Sequence, residues 1–291
     1  MVVYSGQNAI DYLVDRADAP NPGMSSHWRK YHSSFRFTGN GFKGLQGFGG
    51  SRPPSRGVRL IFERYLQRKF RRIGDQWSGF VEIDRLAQLM TRKQDRAYDI
   101  DVLRQVLTLA FLGRHVPGDA GQMETVCVIG DGFGTMASLL LGAELAKQVV
   151  VVNLTKTLLV DLWYLRLCLG DEPFESDVEL VTGDTAPEMD PPVILKYFED
   201  LRGSAGSGGL LFYCCNREEK RLPDGTVTRF SEYPWLETDQ ILVDELCPWH
   251  QQYYTFRPPF YRSYDGPIRH RLVNLSKNSG SYSNHAPTIH D

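Results

Sequence analysis

The chain lacks any long apolar run: no stretch approaches the roughly 18 residues of a membrane-crossing helix. Residues 1–12 do not show the basic-then-apolar order of a secretory leader. Neither a membrane span nor a leader is expected, and a cytoplasmic protein follows by default. An excess of charge is missing too. With 35 acidic against 33 basic residues the formal net charge is -2, so no whole-molecule field draws the chain to nucleic acid or anionic lipid. The five cysteines, Cys127, Cys168, Cys214, Cys215 and Cys247, are odd in number and show no CxxC spacing. They read as buried thiols rather than as disulfides or metal ligands. No local spacing of carboxylates or histidines marks a metal, and no internal repeat is present.

What is there is a chain of 291 residues, 42% hydrophobic and 23% charged, which is enough to bury a substantial core. Residues 1–56 carry little regular pattern. Six of the twelve positions in 39–50 are glycine, interleaved with Phe42 and Phe48, as in a leader segment or a lid that closes over substrate. Across 57–120 apolar residues recur at helical spacing, as in Leu60, Ile61, Tyr65, Leu66 and again Leu103, Val106, Leu107, Ala110, Phe111. A helical N-terminal cap region is expected there, with Arg64, Arg68, Lys69, Arg71 and Arg72 on a solvated face.

From 121 to 276 the texture is that of an α/β domain. Short β-branched runs at 126–129 and 149–152 alternate with helical patterns at 135–147 and 156–169, which predicts parallel strands joined by right-handed crossovers. Runs at 178–181 and 210–215 extend the sheet. After Asn216 the chain turns aromatic and proline-bearing, as expected of antiparallel closing strands that also line a pocket, with a last strand at 269–275. Residues 277–291 are polar, a tail expected to be disordered.

The most informative stretch is Val126-Cys127-Val128-Ile129-Gly130-Asp131-Gly132-Phe133-Gly134-Thr135, a strand running through alternate glycines into a helix. Glycines let the backbone turn tightly and approach a ligand, and unpaired N–H groups at a helix start face that ligand. A nucleotide-like cofactor is implied. Dinucleotide-binding turns use GxGxxG, whereas this one is GxGxG with Thr135 in the third-glycine place, which disfavours an NAD(P)-dependent oxidoreductase, the main rival.

This turn resembles motif I of the class I S-adenosylmethionine-dependent methyltransferases. Further words, Glu188-Met189, Lys196-Tyr197-Phe198, Phe212-Tyr213-Cys214-Cys215-Asn216-Arg217, Tyr233-Pro234-Trp235 and Cys247-Pro248-Trp249-His250, make 121–275 similar to a bacterial family of sugar O-methyltransferases. The resemblance implies a Rossmann-like methyltransferase sheet, mostly parallel with antiparallel closing strands, plus a helical N-terminal cap. It also implies S-adenosyl-L-methionine as cofactor, wrapped by Gly130, Asp131, Gly132, Phe133 and Gly134, and a small-molecule or glycan acceptor. Oligomeric state stays open, a homo-oligomer included.

Two departures stand out. Where the family usually carries acidic residues, two before the first glycine and at the end of the second strand, this chain has Val128 and Asn153. Asn153 still offers hydrogen bonds to a ribose diol, and Asp131 is placed to replace the lost carboxylate in part. A catalytically decayed, methyltransferase-like binding protein is the second rival. Asp184 is assigned to the adenine edge or, equally, to a helix N-cap.

Transfer of a methyl group to an alcohol needs alignment and a base. His250 is the first candidate base, since histidine titrates near neutrality. Glu188 is the second, as base or sugar ligand. Asn216, Arg217, Trp249 and Tyr253 are candidate acceptor contacts, with core packing as the alternative for the aromatic residues.

Overall fold

The structure, a computed structural model, describes residues 2–19, 35–45, 52–116, 122–182, 191–204, 210–221, 225, 227–249 and 267–276. These divide into two compact units, one ending at 182 and the other beginning at 191. The fold is mixed α/β, with eight helices and several small sheets among the described residues.

The first unit begins with β1 (Val2–Ser5) and α1 (Gly6–Arg16), where the sequence predicts an irregular leader. Helix α1 forms because Ala9, Ile10 and Leu13 share one stripe. That stripe is buried with Leu159, Leu162 and Leu165 of α6 (Thr155–Leu169) and Phe174 of α7 (Asp171–Asp177). Gly6 is required at its start. With φ +50, a Cβ there would lie 2.8 Å from Glu175 Cα, and the next amide, Gln7 N, donates to the Glu175 carboxylate at 3.1 Å. This packing brings β1 beside β6 (Glu179–Thr182) in an antiparallel pair. The run at 178–181 therefore does not extend a parallel sheet as expected. Within the glycine-rich stretch, β2 (Arg36–Phe37) and β3 (Phe42–Lys43) form a short hairpin.

The helical pattern after residue 57 appears as α2 (Gly57–Gly74), α3 (Phe80–Lys93) and α4 (Ile100–His115). In α4 the predicted stripe Leu103, Val106, Leu107, Ala110, Phe111 is buried, and Asp99 caps the helix by accepting from the Asp101 and Val102 amides at 3.0 and 3.2 Å. Helix α2 forms as expected, but its apolar residues are not covered as those of α4 are. It buries Gln67, Phe70 and Gly74, while Ile61 and Tyr65 are each 69% exposed. Helical spacing marks a stripe but not which neighbour, if any, covers it.

β4 (Met123–Ile129) and β5 (Ala146–Val152) pair in parallel, with Val126 opposite Val149 and Ile129 opposite Val152, joined through α5 (Thr135–Gly142). Helix α5 is shorter than its periodicity predicts. Glu144 adopts φ 55, Glu144 N donates to Leu141 O and Leu145 N to Leu140 O, a Schellman closure that ends the helix and frees residues 146–152 for the strand. Helix α3 packs on α5, its Leu86 side chain 3.1 Å from the place a Cβ on Gly142 would take.

The second unit comprises α8 (Pro191–Ser204), β7 (Leu210–Arg217), β8 (Glu219–Arg221), β9 (Val227–Arg229), β10 (Gln240–Leu246) and β11 (Ile268–Leu275). β11 lies between β7 and β10 and is antiparallel to both. Phe198, Phe230, Trp235, Val273 and Leu275 form its core. Over it a fully buried ion pair, Arg202 with Asp239, ties α8 to the loop before β10 and to Ser276 O. Among the described residues no helix is long and apolar enough to cross a membrane.

Candidate functional site

The glycine turn follows β4 directly. Gly130, Gly132, Phe133 and Gly134 have φ of 76°, 70°, 64° and 56°. Three of these four left-handed positions carry glycine, for which they cost little, but Phe133 is a bulky residue there and is strained. Its surroundings hold it. Gln94 Nε2 donates to Phe133 O at 3.1 Å, the Arg96 guanidinium lies 3.7 Å over the ring, and Tyr164 meets the ring edge-on at 4.9 Å. Gln94 and Arg96 reach the turn because α3 closes with a second Schellman motif. Asp95 has φ 50, its amide bonds Arg92 O, and Arg96 N bonds Thr91 O. Arg96 is buried and its guanidinium nitrogen donates to Gln94 Oε1 at 2.8 Å. Burial lowers its pKa, opposed by Tyr164, Asp99 and Asp131.

Two carboxylates bind the turn from within. Asp131 accepts from Met136 N at 2.7 Å and Ala137 N at 2.8 Å, so the anion drawn to the start of α5 belongs to the chain itself. The unpaired amides expected there are occupied, which corrects that expectation. Asp161, from the middle of α6, accepts from Gly134 N at 3.2 Å and from Asn153 Nδ2 at 2.7 Å. Asn153 Oδ1 in turn accepts from Leu154 N at 2.9 Å and Thr157 Oγ1 at 2.6 Å. Asn153 is thus buried in a network that fixes the end of β5 against α6. Burial pushes the Asp131 carboxyl up to about 6, against hydrogen bonds from Ala137 and Met136. Burial, and then the neighbouring Asp131 charge, raise Asp161 well above its ordinary range.

Sequence reasoning missed Gln94, Arg96 and Asp161. Asp161 had a signal, a single carboxylate inside the apolar run Leu158-Leu159-Val160-Asp161-Leu162-Trp163. The other two had none, because only the tertiary fold carries the end of α3 to the turn. On its outer side the turn is open, with Ile129 42% exposed and Gly130 exposed beside it. A cavity of 550 Å³ elsewhere in the unit is lined by Tyr4, Asp11, Tyr12 and Arg16 among others and includes no residue of the turn.

No family model, curated protein or solved structure matches this chain. The site therefore has to be read from its own atoms. Asp184, Glu188, His250 and Tyr253 lie outside the described residues. In the second unit, Asn216 and Arg217 end β7. Asn216 Oδ1 accepts from the buried Arg271 at 3.1 Å, and Arg271 also pairs with Glu218 at 2.7 Å and lies 3.9 Å over the Phe230 ring. Trp249 is buried, 4.4 Å from the His270 ring between centroids, and Trp235 is buried in the core with Nε1 donating to Phe230 O at 2.8 Å. Both tryptophans pack inside their unit. Of the cysteines, Cys168 and Cys247 are buried, Cys214 and Cys215 partly so, and Cys127 is exposed on β4, where a buried thiol was expected.

Proposed function

We propose that the chain is an S-adenosylmethionine-dependent O-methyltransferase that methylates a hydroxyl of a sugar or glycosylated product. The observation that carries this reading is the β4–glycine turn–α5 unit beside a parallel β5, with left-handed glycines at Gly130, Gly132 and Gly134 and an open outer side at Ile129 and Gly130. Backbone without side chains lets an adenosyl ligand approach closely, and in this respect the residues fit the cofactor. The finer fold, a Rossmann-like methyltransferase sheet with a helical N-terminal cap, is part of this proposal.

Bound S-adenosylmethionine supplies an electrophilic methyl group. The chain's own residues divide the remaining work. Gly130 and Gly132 admit the ligand to the backbone. Asp131, Asp161 and Asn153 hold the turn's shape from behind and act as positioning residues, while Arg96 and Tyr164 fix Phe133. His250 and Glu188 are the proposed proton acceptors for the hydroxyl, with Asn216, Arg217 and Tyr253 at the acceptor.

One observation favours a second reading, a methyltransferase-like protein that binds without catalysis. The Asn153 amide and the Asp131 carboxylate, the two groups left to replace the family's acidic ribose contacts, are hydrogen-bonded within the chain. Isothermal titration separates the possibilities. S-adenosylhomocysteine is expected to bind and NADH not to. Binding of NADH alone would transfer the chain to the oxidoreductases, and silence of both at millimolar concentration would leave the non-catalytic reading.

A further inference from the structure

In the second unit three donors meet, two on strands and one just past the end of a third. Cys215 on β7 stands directly across from His270 on β11, and Cys247 follows β10, its amide bonded to Ile268 O at 2.9 Å. One ligand atom from each of the three residues lies within 4.8 Å of the others. Cys247 and His270 are both 0% exposed. The neighbouring Cys214 points to the opposite face, where it packs against the Phe198–Trp235 core, so the alternation of the strand selects Cys215 alone.

We propose that Cys215, Cys247 and His270 bind a Zn²⁺ ion. The proposal stands on this unit alone and does not depend on the methyltransferase reading. Two thiolates and an imidazole are a recurrent zinc donor set, completed by water or a fourth donor. Zinc–sulfur and zinc–nitrogen bonds of about 2.3 and 2.0 Å place tetrahedral ligand atoms about 3.6–3.8 Å apart. The three donors therefore need to close by roughly 1 Å at most. Binding releases one proton from each thiol, and the two thiolates neutralise the dication, so no net charge is left in the buried site.

The second layer is also in place. Tyr213 Oη lies 2.7 Å from His270 Nδ1. With Nδ1–H donated to the tyrosine oxygen, the lone pair sits on Nε2, a tautomer in which that nitrogen can bind a metal. Trp249 packs on the imidazole at 4.4 Å and is itself 1% exposed, so the ring is held in orientation and water is kept from that side. The site would tie the ends of β7 and β10 to the start of β11, beside the side-chain bonds of Arg271 to Asn216 and of Arg269 to Asp244.

The full-length, tag-free protein purified without chelators is expected to carry about one zinc per chain by elemental mass spectrometry. Exchange for Co²⁺ should give a thiolate-to-cobalt charge-transfer band and the intense visible bands of a tetrahedral site. Cys214→Ser should keep both features, and Cys215→Ser and Cys247→Ser should each lose charge-transfer intensity. The proposal is overturned if the wild-type chain takes up neither ion, or if its cobalt spectrum lacks the charge-transfer band. A Cys215–Cys247 disulfide in the native protein, or spectra unchanged in both cysteine variants, would overturn it too. Because the wild-type spectrum alone is decisive, a variant that fails to fold does not rescue the idea.

Discussion

Replacing Gly134 with alanine tests the architecture of the glycine turn most directly. Gly134 has φ +56, and a Cβ there would lie 2.7 Å from the carbonyl oxygen of Asp161 and 3.3 Å from Leu165 Cβ. The first contact is helix backbone, which cannot swing aside like the end of a flexible side chain. The left-handed conformation costs an alanine about 1–2 kcal/mol, and forcing a methyl group into a packed contact adds about 1–3 kcal/mol. Relief by moving α6 away would lengthen the Gly134 N–Asp161 bond, already 3.2 Å. The expected loss is therefore about 2–5 kcal/mol, a large share of the roughly 5–15 kcal/mol typical of a domain. Urea denaturation of wild type and variant measures it. Gly113→Ala serves as the control, because that glycine lies in α4 with nothing within 4 Å of its added Cβ; it should stabilise by up to about 1 kcal/mol. A Gly134→Ala protein within about 0.5 kcal/mol of wild type would refute the close approach of α6 to the turn.

The two buried carboxylates make stability depend on pH in the direction opposite to an ordinary salt-bridged acid. Because Asp131 is raised from 3.8 to about 6, the folded chain holds more protons than the unfolded one between those values. Its contribution is full below the ordinary carboxylate range and is lost as pH rises through about 6, by at most about 3 kcal/mol. Asp131→Asn should flatten this part of the urea-midpoint profile, and parallel profiles for the two proteins would contradict the assignment. In the second unit, Arg202→Met should cost about 3–5 kcal/mol, because it leaves Asp239 buried without its partner. Burial raises Asp239, but the hydrogen bonds from Arg202, Leu236 N and Ser276 N outweigh it and hold the group below its usual value. Its support is present at neutral pH and lost as pH falls through its folded pKa, so the penalty of Arg202→Met should shrink in acid.

Local features were legible in the residues. The strand, glycine turn and helix at 123–142 were readable because a tight bend needs glycine, and because β-branched runs and helical spacing are properties of neighbouring residues. The stripe of α4 was readable for the same reason, as was β11, one residue from its predicted start. Errors fell where the answer lies in a distant partner. β1 and α1 become regular because α6 and α7 cover their apolar residues, β6 pairs with β1 because of that packing, and α2 leaves its apolar stripe exposed.

The sequence by itself determined where the backbone bends and which periods alternate along the chain, since these follow from steric limits on each residue and its nearest neighbours. Only the tertiary structure decided that Asp161 would take the Gly134 amide of the turn, that Arg96 would cover Phe133, and that Cys215, Cys247 and His270 would converge. Each of these depends on how far apart two remote segments finish, a distance set by the packing of entire helices and strands and written in no single stretch of residues.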